Sequence, residues 1–158
     1  LDKNYIPSNS IYIISDAKLF HFGILMSVMH MTWIKHVCGR LESRYRYSKD
    51  IVYNNFPWPE NPSEKLVKAV EVAAQKVLNV RLQFPNSSLA SLYSPTTMPP
   101  ALIKAHNELD KAVDLAYRPQ PFINEEKRLE YLFELYIKYT SNLFTSKKTK
   151  GRRDDTHF

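Results

Sequence analysis

Glycine is scarce in this 158-residue chain: Gly23, Gly39 and Gly151 are the only three, against ten prolines. No cluster of them can cradle a phosphate, so a glycine-rich nucleotide-binding loop is excluded. Cysteine is scarcer still. A lone Cys38 can make neither an internal disulfide nor a zinc site, and a reducing compartment is the default expectation. Long apolar runs are also missing. The longest, Phe20 to Ile34, is 15 residues and is interrupted by His21 and His30, too short and too polar for a membrane span. No signal or transit pattern precedes it, and the first residue is Leu1 rather than Met. The expectation is a cytoplasmic piece of a larger protein with no membrane partner. What remains is an ordinary globular composition, 44% hydrophobic and 24% charged, enough for one domain or two very small ones.

The net charge is +6 and the pI near 9.3, which permits nucleic acid as a partner without establishing it. The excess is uneven. Residues 147–158, KKTKGRRDDTHF, hold five Lys/Arg against two acids and read as a flexible basic tail in which Arg152 and Arg153 could touch a phosphate. A second local excess gathers Arg40, Arg44, Arg46 and Lys49 against Glu42 and Asp50.

Periodicity predicts an α+β chain, mostly α: short strands with one long helix, followed by a three-helix unit. Ile11–Ile14 and Ile51–Tyr53 read as strands. Phe22, Leu25, Met26, Met29, Trp33 and Val37 recur at helical spacing from about Ala17 or Phe20 to Val37, and Gly39 is placed to stop that helix. Phe56-Pro57-Trp58-Pro59 cannot be helix. Asn61-Pro62-Ser63-Glu64 then predicts a helix start with Asn61 as cap, and Leu66, Val70, Ala73, Val77 and Val80 predict its buried stripe. A proline-bounded loop, Pro85 to Pro100, leads to a helix from Pro100 to Tyr117 with Leu102, Ala105, Leu109, Ala112 and Ala116 inward. Pro119 and Pro121 end it. Asn124 caps a last helix carrying Leu129, Leu132, Phe133, Tyr136 and Leu143. No repeat of 20–50 residues is present. The expected division is 1–60, 61–146 and the tail 147–158.

The stretch Gly39-Arg40-Leu41-Glu42-Ser43-Arg44-Tyr45-Arg46-Tyr47-Ser48-Lys49 carries the most chemistry. Extended, it puts Glu42, Arg44 and Arg46 on one side and Ser43, Tyr45 and Tyr47 on the other. Same-side neighbours would sit about 6.6 Å apart, a span suited to two bases of one pair or to adjacent pairs. Glutamate accepts from the cytosine amino group and arginine donates twice to guanine, each good contact being worth about 1–3 kcal/mol of discrimination. Arg40 and Lys49, with Tyr45 and Tyr47, would then contact the DNA backbone. The bland alternative is a solvated strand with one weak exposed ion pair.

Other groupings are weaker. Asp114, followed after ten residues by Glu125-Glu126-Lys127, mimics a metal-dependent nuclease motif. Its members fall on two predicted helices with prolines between, whereas that chemistry needs carboxylates converging from a rigid frame. His21, His30 and His36 lack the one-turn spacing of a metal pair and read as structural histidines. Met26, Met29 and Met31 beside Trp33 read as packing, and Cys38 has no activating partner in the sequence. The chain itself is expected to hold no catalytic residue, cofactor or metal.

The run GRLESRYRYSKDIVYNNFPWPE, preceded by MHMTWIKHVC, resembles the target-recognition domain of the MmeI-like single-chain type II restriction–modification enzymes, a class of adenine-N6 DNA methyltransferases. ALIKAHNELDKAVDLAY and RLEYLFELYIKY are similar, more loosely, to the helical domain that closes that family's chain. The resemblance implies that 1–60 end a recognition domain and that 61–146 form a helical C-terminal domain. It implies that Glu42 and Arg44 read one base pair near the end of an asymmetric site, that Arg46 makes a further contact, and that Ser10 contributes from the preceding loop. The implied partners are double-stranded DNA and a methyltransferase domain of the same chain. S-adenosylmethionine, and Mg²⁺ for any nuclease, would belong to that parent, since no Asn-Pro-Pro-Tyr motif or S-adenosylmethionine loop occurs here. A helical protein–protein docking or oligomerisation module is the alternative from a different class.

Overall fold

The computed structural model describes residues 12–41 and 44–149. Six α-helices dominate: α1 (Leu19–Leu25), α2 (Val28–Val37), α3 (Glu64–Leu82), α4 (Leu89–Leu92), α5 (Pro100–Tyr117) and α6 (Glu125–Thr149). Between α2 and α3 lie a two-stranded antiparallel hairpin, β1 (Gly39–Leu41) and β2 (Arg44–Arg46), and a single π-helical turn, Lys49–Tyr53. Among the described residues no helix is long and apolar enough to cross a membrane.

The predicted long first helix is two helices. Ser27 takes an extended conformation (φ −87°, ψ 162°), and its Oγ donates to the Ile24 carbonyl at 2.7 Å, closing α1. The Asp110 carboxylate, reaching over from α5, accepts the Val28 N–H at 2.8 Å and satisfies one of the open donors at the start of α2. Burial raises the Asp110 pKa, while that hydrogen bond holds it down. The corner lets the two helices serve different partners: α1 packs on α3 and α5, and α2 lies along α6.

Gly23 makes the first contact possible. A Cβ there would stand 2.7 Å from Val70 Cγ1 and 3.3 Å from both Ala74 Cβ and Leu109 Cδ1, all three residues fully buried. Val70, Ala73, Ala74, Val77 and Val80 of α3 meet Leu102, Ala105, Leu109 and Val113 of α5, with Ile24 of α1 capping the layer. Small residues on α3 allow close approach, and the branched aliphatics of α5 fill the gap.

The last helix does not complete a separate three-helix unit with α3 and α5. Its buried Leu132 and Leu135 are joined by an aromatic row that fits α2: the Trp33 ring lies 5.4 Å from Phe133 and 5.8 Å from Tyr136. It meets α5 chiefly at its first turns. There Arg128 grips Asp114 with two bonds, 3.0 and 2.6 Å, and Tyr131 Oη donates to the Tyr117 carbonyl at 3.0 Å. One core, from Ile24 of α1 to Leu135 of α6, therefore joins both halves of the chain.

Between the halves runs Phe56–Pro59, as non-helical as its prolines require. Phe56, Pro57 and Pro59 are buried. Tyr117 Oη of α5 donates to the Pro57 carbonyl at 3.0 Å, and Tyr139 Oη of α6 donates to the Trp58 carbonyl at 2.8 Å. Burial pushes both phenol pKa values up, Tyr117 well above its usual range.

Several boundaries differ from expectation. Residues 12–14 have no regular structure, with no strand among the described residues beside them; Ile11 lies outside those residues. Ile51–Tyr53 belong to the π-turn. Gly39 opens β1 rather than capping α2, whose last N–H partner is supplied by Cys38 bonding Ile34 at 3.0 Å. Helix α3 is capped by Ser63, because Asn61 is spent on a left-handed turn (φ 45°) that asparagine tolerates. The 85–100 loop holds the short α4, whose Ser88 Oγ accepts the Ser91 N–H at 3.1 Å. Helix α6 carries 147–149, which were expected in the tail; 150–158 lie outside the described residues.

Replacing Gly23 by alanine should lower stability by about 1–3 kcal/mol, overpacking outweighing the helical gain from alanine. Urea unfolding should show this. In the Gly23→Ala background, Val70→Ala should cost much less than it does in the wild type, since it vacates the space the new methyl needs.

Candidate nucleic-acid interface

The Gly39–Lys49 stretch is not one extended run. An isolated strand leaves its backbone donors and acceptors unpaired, and this one pairs with itself. The register sets Gly39 opposite Arg46, Arg40 opposite Tyr45 and Leu41 opposite Arg44. Positions 42 and 43 fall between the paired Leu41 and Arg44. Glu42 and Ser43 lie outside the described residues, as does Ser10. Arg40 lies in the middle of β1.

Arg44, Tyr45 and Arg46 are all exposed. The two arginines share a face of β2, and Tyr45 projects to the other side. Tyr47, expected on a DNA backbone, turns inward instead. Its hydroxyl lies 3.2 Å from His30 Nε2, it is half-buried, and desolvation raises its pKa. Lys49 stays at the surface, 3.5 Å from the Asp50 carboxylate.

Behind the hairpin the support is closely packed. His30 of α2 is 2% exposed, its ring edge-on to Phe56 at 4.5 Å. Its Nδ1 is buried and has no hydrogen-bond partner among the described residues. Burial lowers its pKa to about 4, so it is neutral at pH 7. The least costly tautomer keeps the proton on Nε2, facing Tyr47, and leaves only a lone pair at Nδ1. Next along α2, Trp33 Nε1 donates to the Val52 carbonyl at 3.1 Å and so ties down the π-turn.

That turn is a feature the sequence reading missed. Asn54 N bonds the Lys49 carbonyl at 2.9 Å, the five-residue reach of a π-helix. Asn55 Nδ2 covers the Asp50 and Ile51 carbonyls at 2.7 and 3.0 Å, and Ser48 Oγ accepts the Ile51 N–H at 3.4 Å. The signal was present as Ser48 with Asn54-Asn55, a cap and two turn formers around a β-branched pair. Between the turn and β2 opens a groove of about 330 Å³ lined by Tyr12, Gly39, Arg46, Tyr47, Ser48 and Ile51.

The nuclease-like residues do not converge. Asp114 is held by Arg128, Glu125 by Lys35 at 2.5 Å and Lys127 by Glu130 at 2.6 Å. His21 Nδ1 accepts the Lys18 N–H at 3.0 Å, and His36 Nδ1 faces the Thr32 carbonyl at 2.8 Å, both local helix contacts. Cys38 is buried, which raises its thiol pKa. Met29 is core, Met26 lines the Arg81 side of α1, and Met31 is exposed.

Residues 1–60 match the family model described as MmeI, target recognition domain, and residues 62–144 match that of the MmeI C-terminal domain. The chain belongs to the MmeI family. It is 47% identical over 135 residues to DNA methyltransferase A of Bacillus subtilis (strain 168), a match covering 85% of this chain and 15% of that protein. A solved MmeI chain is 52% identical, with a TM-score of 0.75 over 80% of this chain and 17% of its own. It was reported as the structure of the type IIL restriction–modification enzyme MmeI in complex with DNA, with implications for engineering of new specificities. This chain thus spans less than a fifth of the length of either relative. In MmeI-family terms, the Gly39–Tyr47 hairpin falls in the recognition model and the tyrosines that hold Phe56–Pro59 fall in the C-terminal one.

Because the folded chain keeps His30 neutral, its contribution to stability is complete above pH 6.5 and is lost as the pH falls toward 4. The loss should total about 3 kcal/mol. Denaturant titrations across that range should show it in the wild type, and His30→Gln should lack that component.

Proposed function

We propose that this chain supplies sequence recognition of double-stranded DNA to an adenine-N6 DNA methyltransferase of restriction–modification type, by readout in the major groove. The observation that carries this reading is the outward display of Arg44 and Arg46 on one strand, backed by a fully packed core. Arginines rooted about 6.6 Å apart along one strand of a two-stranded ribbon suit the width and donor–acceptor pattern of that groove. Glu42 with Arg44 addresses one C·G pair, Arg46 makes a neighbouring contact, and Ser10 adds to them from the preceding segment. Arg40, Lys49 and Tyr45 serve the phosphates, giving affinity without sequence information. Tyr47 positions the hairpin through His30.

In this reading 1–60 are the reading end and 61–146 the helical support, and the chain performs no chemistry. S-adenosylmethionine binding, methyl transfer and any Mg²⁺-dependent cleavage belong to the methyltransferase and nuclease parts of such enzymes. The kinship with DNA methyltransferase A and with the MmeI–DNA structure supports this assignment.

The double substitution Glu42→Lys with Arg44→Asp inverts both charges and should change which base pair is required at one position of the methylated site. Mapping methylated adenines in cells carrying the intact protein would reveal it; an unaltered site would sink the proposal. Arg44→Ala alone should relax that position by about 1–3 kcal/mol. Lys49→Ala should instead weaken binding to all sequences and flatten its salt dependence. A docking role draws on exposed Phe133 and Ile137, one turn apart on α6. It predicts self-association at micromolar concentration that Ile137→Glu abolishes in sedimentation experiments.

A further inference from the structure

We infer that Ile51 is a base-reading residue, meeting the 5-methyl group of a thymine beside the base pair addressed by Arg46, in a groove that Gly39 keeps open. The inference rests on the DNA-recognition reading above and adds a contact of different chemistry to it.

Ile51 is 55% exposed, a branched hydrocarbon at the surface of a π-turn whose one buried residue is Val52. Its outward position is built in. The next residue, Val52, is wholly buried, and its carbonyl is tied to the Trp33 indole. The carbonyls of Asp50 and Ile51 itself are held by Asn55. With both sides of the turn fixed, the isoleucine cannot fold away from solvent without breaking these bonds. It shares its groove with Arg46 and Ser48.

Gly39 supplies the second observation. It is paired with Arg46, so an added side chain would project beside that arginine. Its φ is not positive, and a Cβ would find nothing within 4 Å. Neither backbone conformation nor packing within the described residues calls for glycine, and glycine weakens a strand relative to alanine. A bare strand position of this kind suits close approach by another molecule.

The groove thus joins a guanidinium, a hydroxyl, an exposed branched hydrocarbon and an uncovered strand. Phosphates would suit the arginine and leave the isoleucine in water. The major-groove edge of a G·C pair followed by thymine suits both, because the thymine methyl is the apolar mark on that surface.

The test uses the intact protein and a duplex carrying its recognition site, with each thymine replaced in turn by deoxyuridine, which lacks only that methyl. Binding is followed by fluorescence anisotropy. One replacement should weaken wild-type binding about fourfold, the worth of one buried methyl group, and should have no effect on Ile51→Ala. Gly39→Val should bind at least tenfold more weakly while melting at the wild-type temperature or above. A flat uracil scan, a site without thymine, an undiminished methyl effect in Ile51→Ala, or full affinity in Gly39→Val would each overturn the inference. If the scan is flat while the Glu42–Arg44 swap does redirect methylation, only the Ile51 contact falls. If the swap also has no effect, the recognition reading falls with it.

Discussion

Two phenol hydroxyls hold this fold in one piece. The Phe56–Pro59 segment has to cross the interior without secondary structure, since its prolines cannot donate to any ladder. Its buried carbonyls would each cost about 1–3 kcal/mol if left bare. Tyr117 from α5 and Tyr139 from α6 answer two of them. Those bonds fix both helices against the chain that has just left the hairpin, and the rest of the arrangement follows: α6 onto α2, α2 onto the π-turn, the π-turn beside β2.

The outward chemistry depends on this inward order. Two exposed groups on the hairpin side each precede an anchored neighbour. Arg46 is followed by Tyr47, held at His30, and Ile51 by Val52, held at Trp33. A guanidinium on a loose loop would pay conformational entropy whenever it met a base. Here much of that ordering is already done by aromatic packing around Phe56, Trp33 and Trp58. A neutral buried histidine fits the same logic, because a charged one could not stay so close to Phe56 without its own counter-ion.

The helices that carry local signals were legible in the sequence. Pro100 at a first helical position and the prolines after Arg118 bound α5 as expected, and Asn124 caps α6 by accepting the Lys127 N–H at 2.9 Å. The inner stripes of α3 and α5 were also readable, though Val113 is buried where Ala112 was expected, and Leu66 at the start of α3 is only half-buried. What could not be read depends on distant partners. The corner between α1 and α2 is stabilised by Asp110, 82 residues away, and no periodicity encodes that. The π-turn took a β-branched pair that strand propensity claims, because Trp33 and Asn55 offered its carbonyls better partners. The exposure of two arginines on one strand was legible in the sequence, and the shape of the candidate site was not. Alternation along a single strand could not foresee a chain folded back on itself.

The seam between the two family models runs between residues 60 and 62, yet the interior ignores it. Gly23 belongs to one side and its contacts Val70, Ala74 and Leu109 to the other. Cutting there would strip a shared interior in two and strand greasy surfaces on both products. Recombination between relatives at that seam is therefore penalised unless both pieces travel together. Piecemeal mutation of the protruding hairpin carries no such toll. With the hairpin as the proposed reading element, a new target sequence is reached through a handful of codons while the shared interior stays whole.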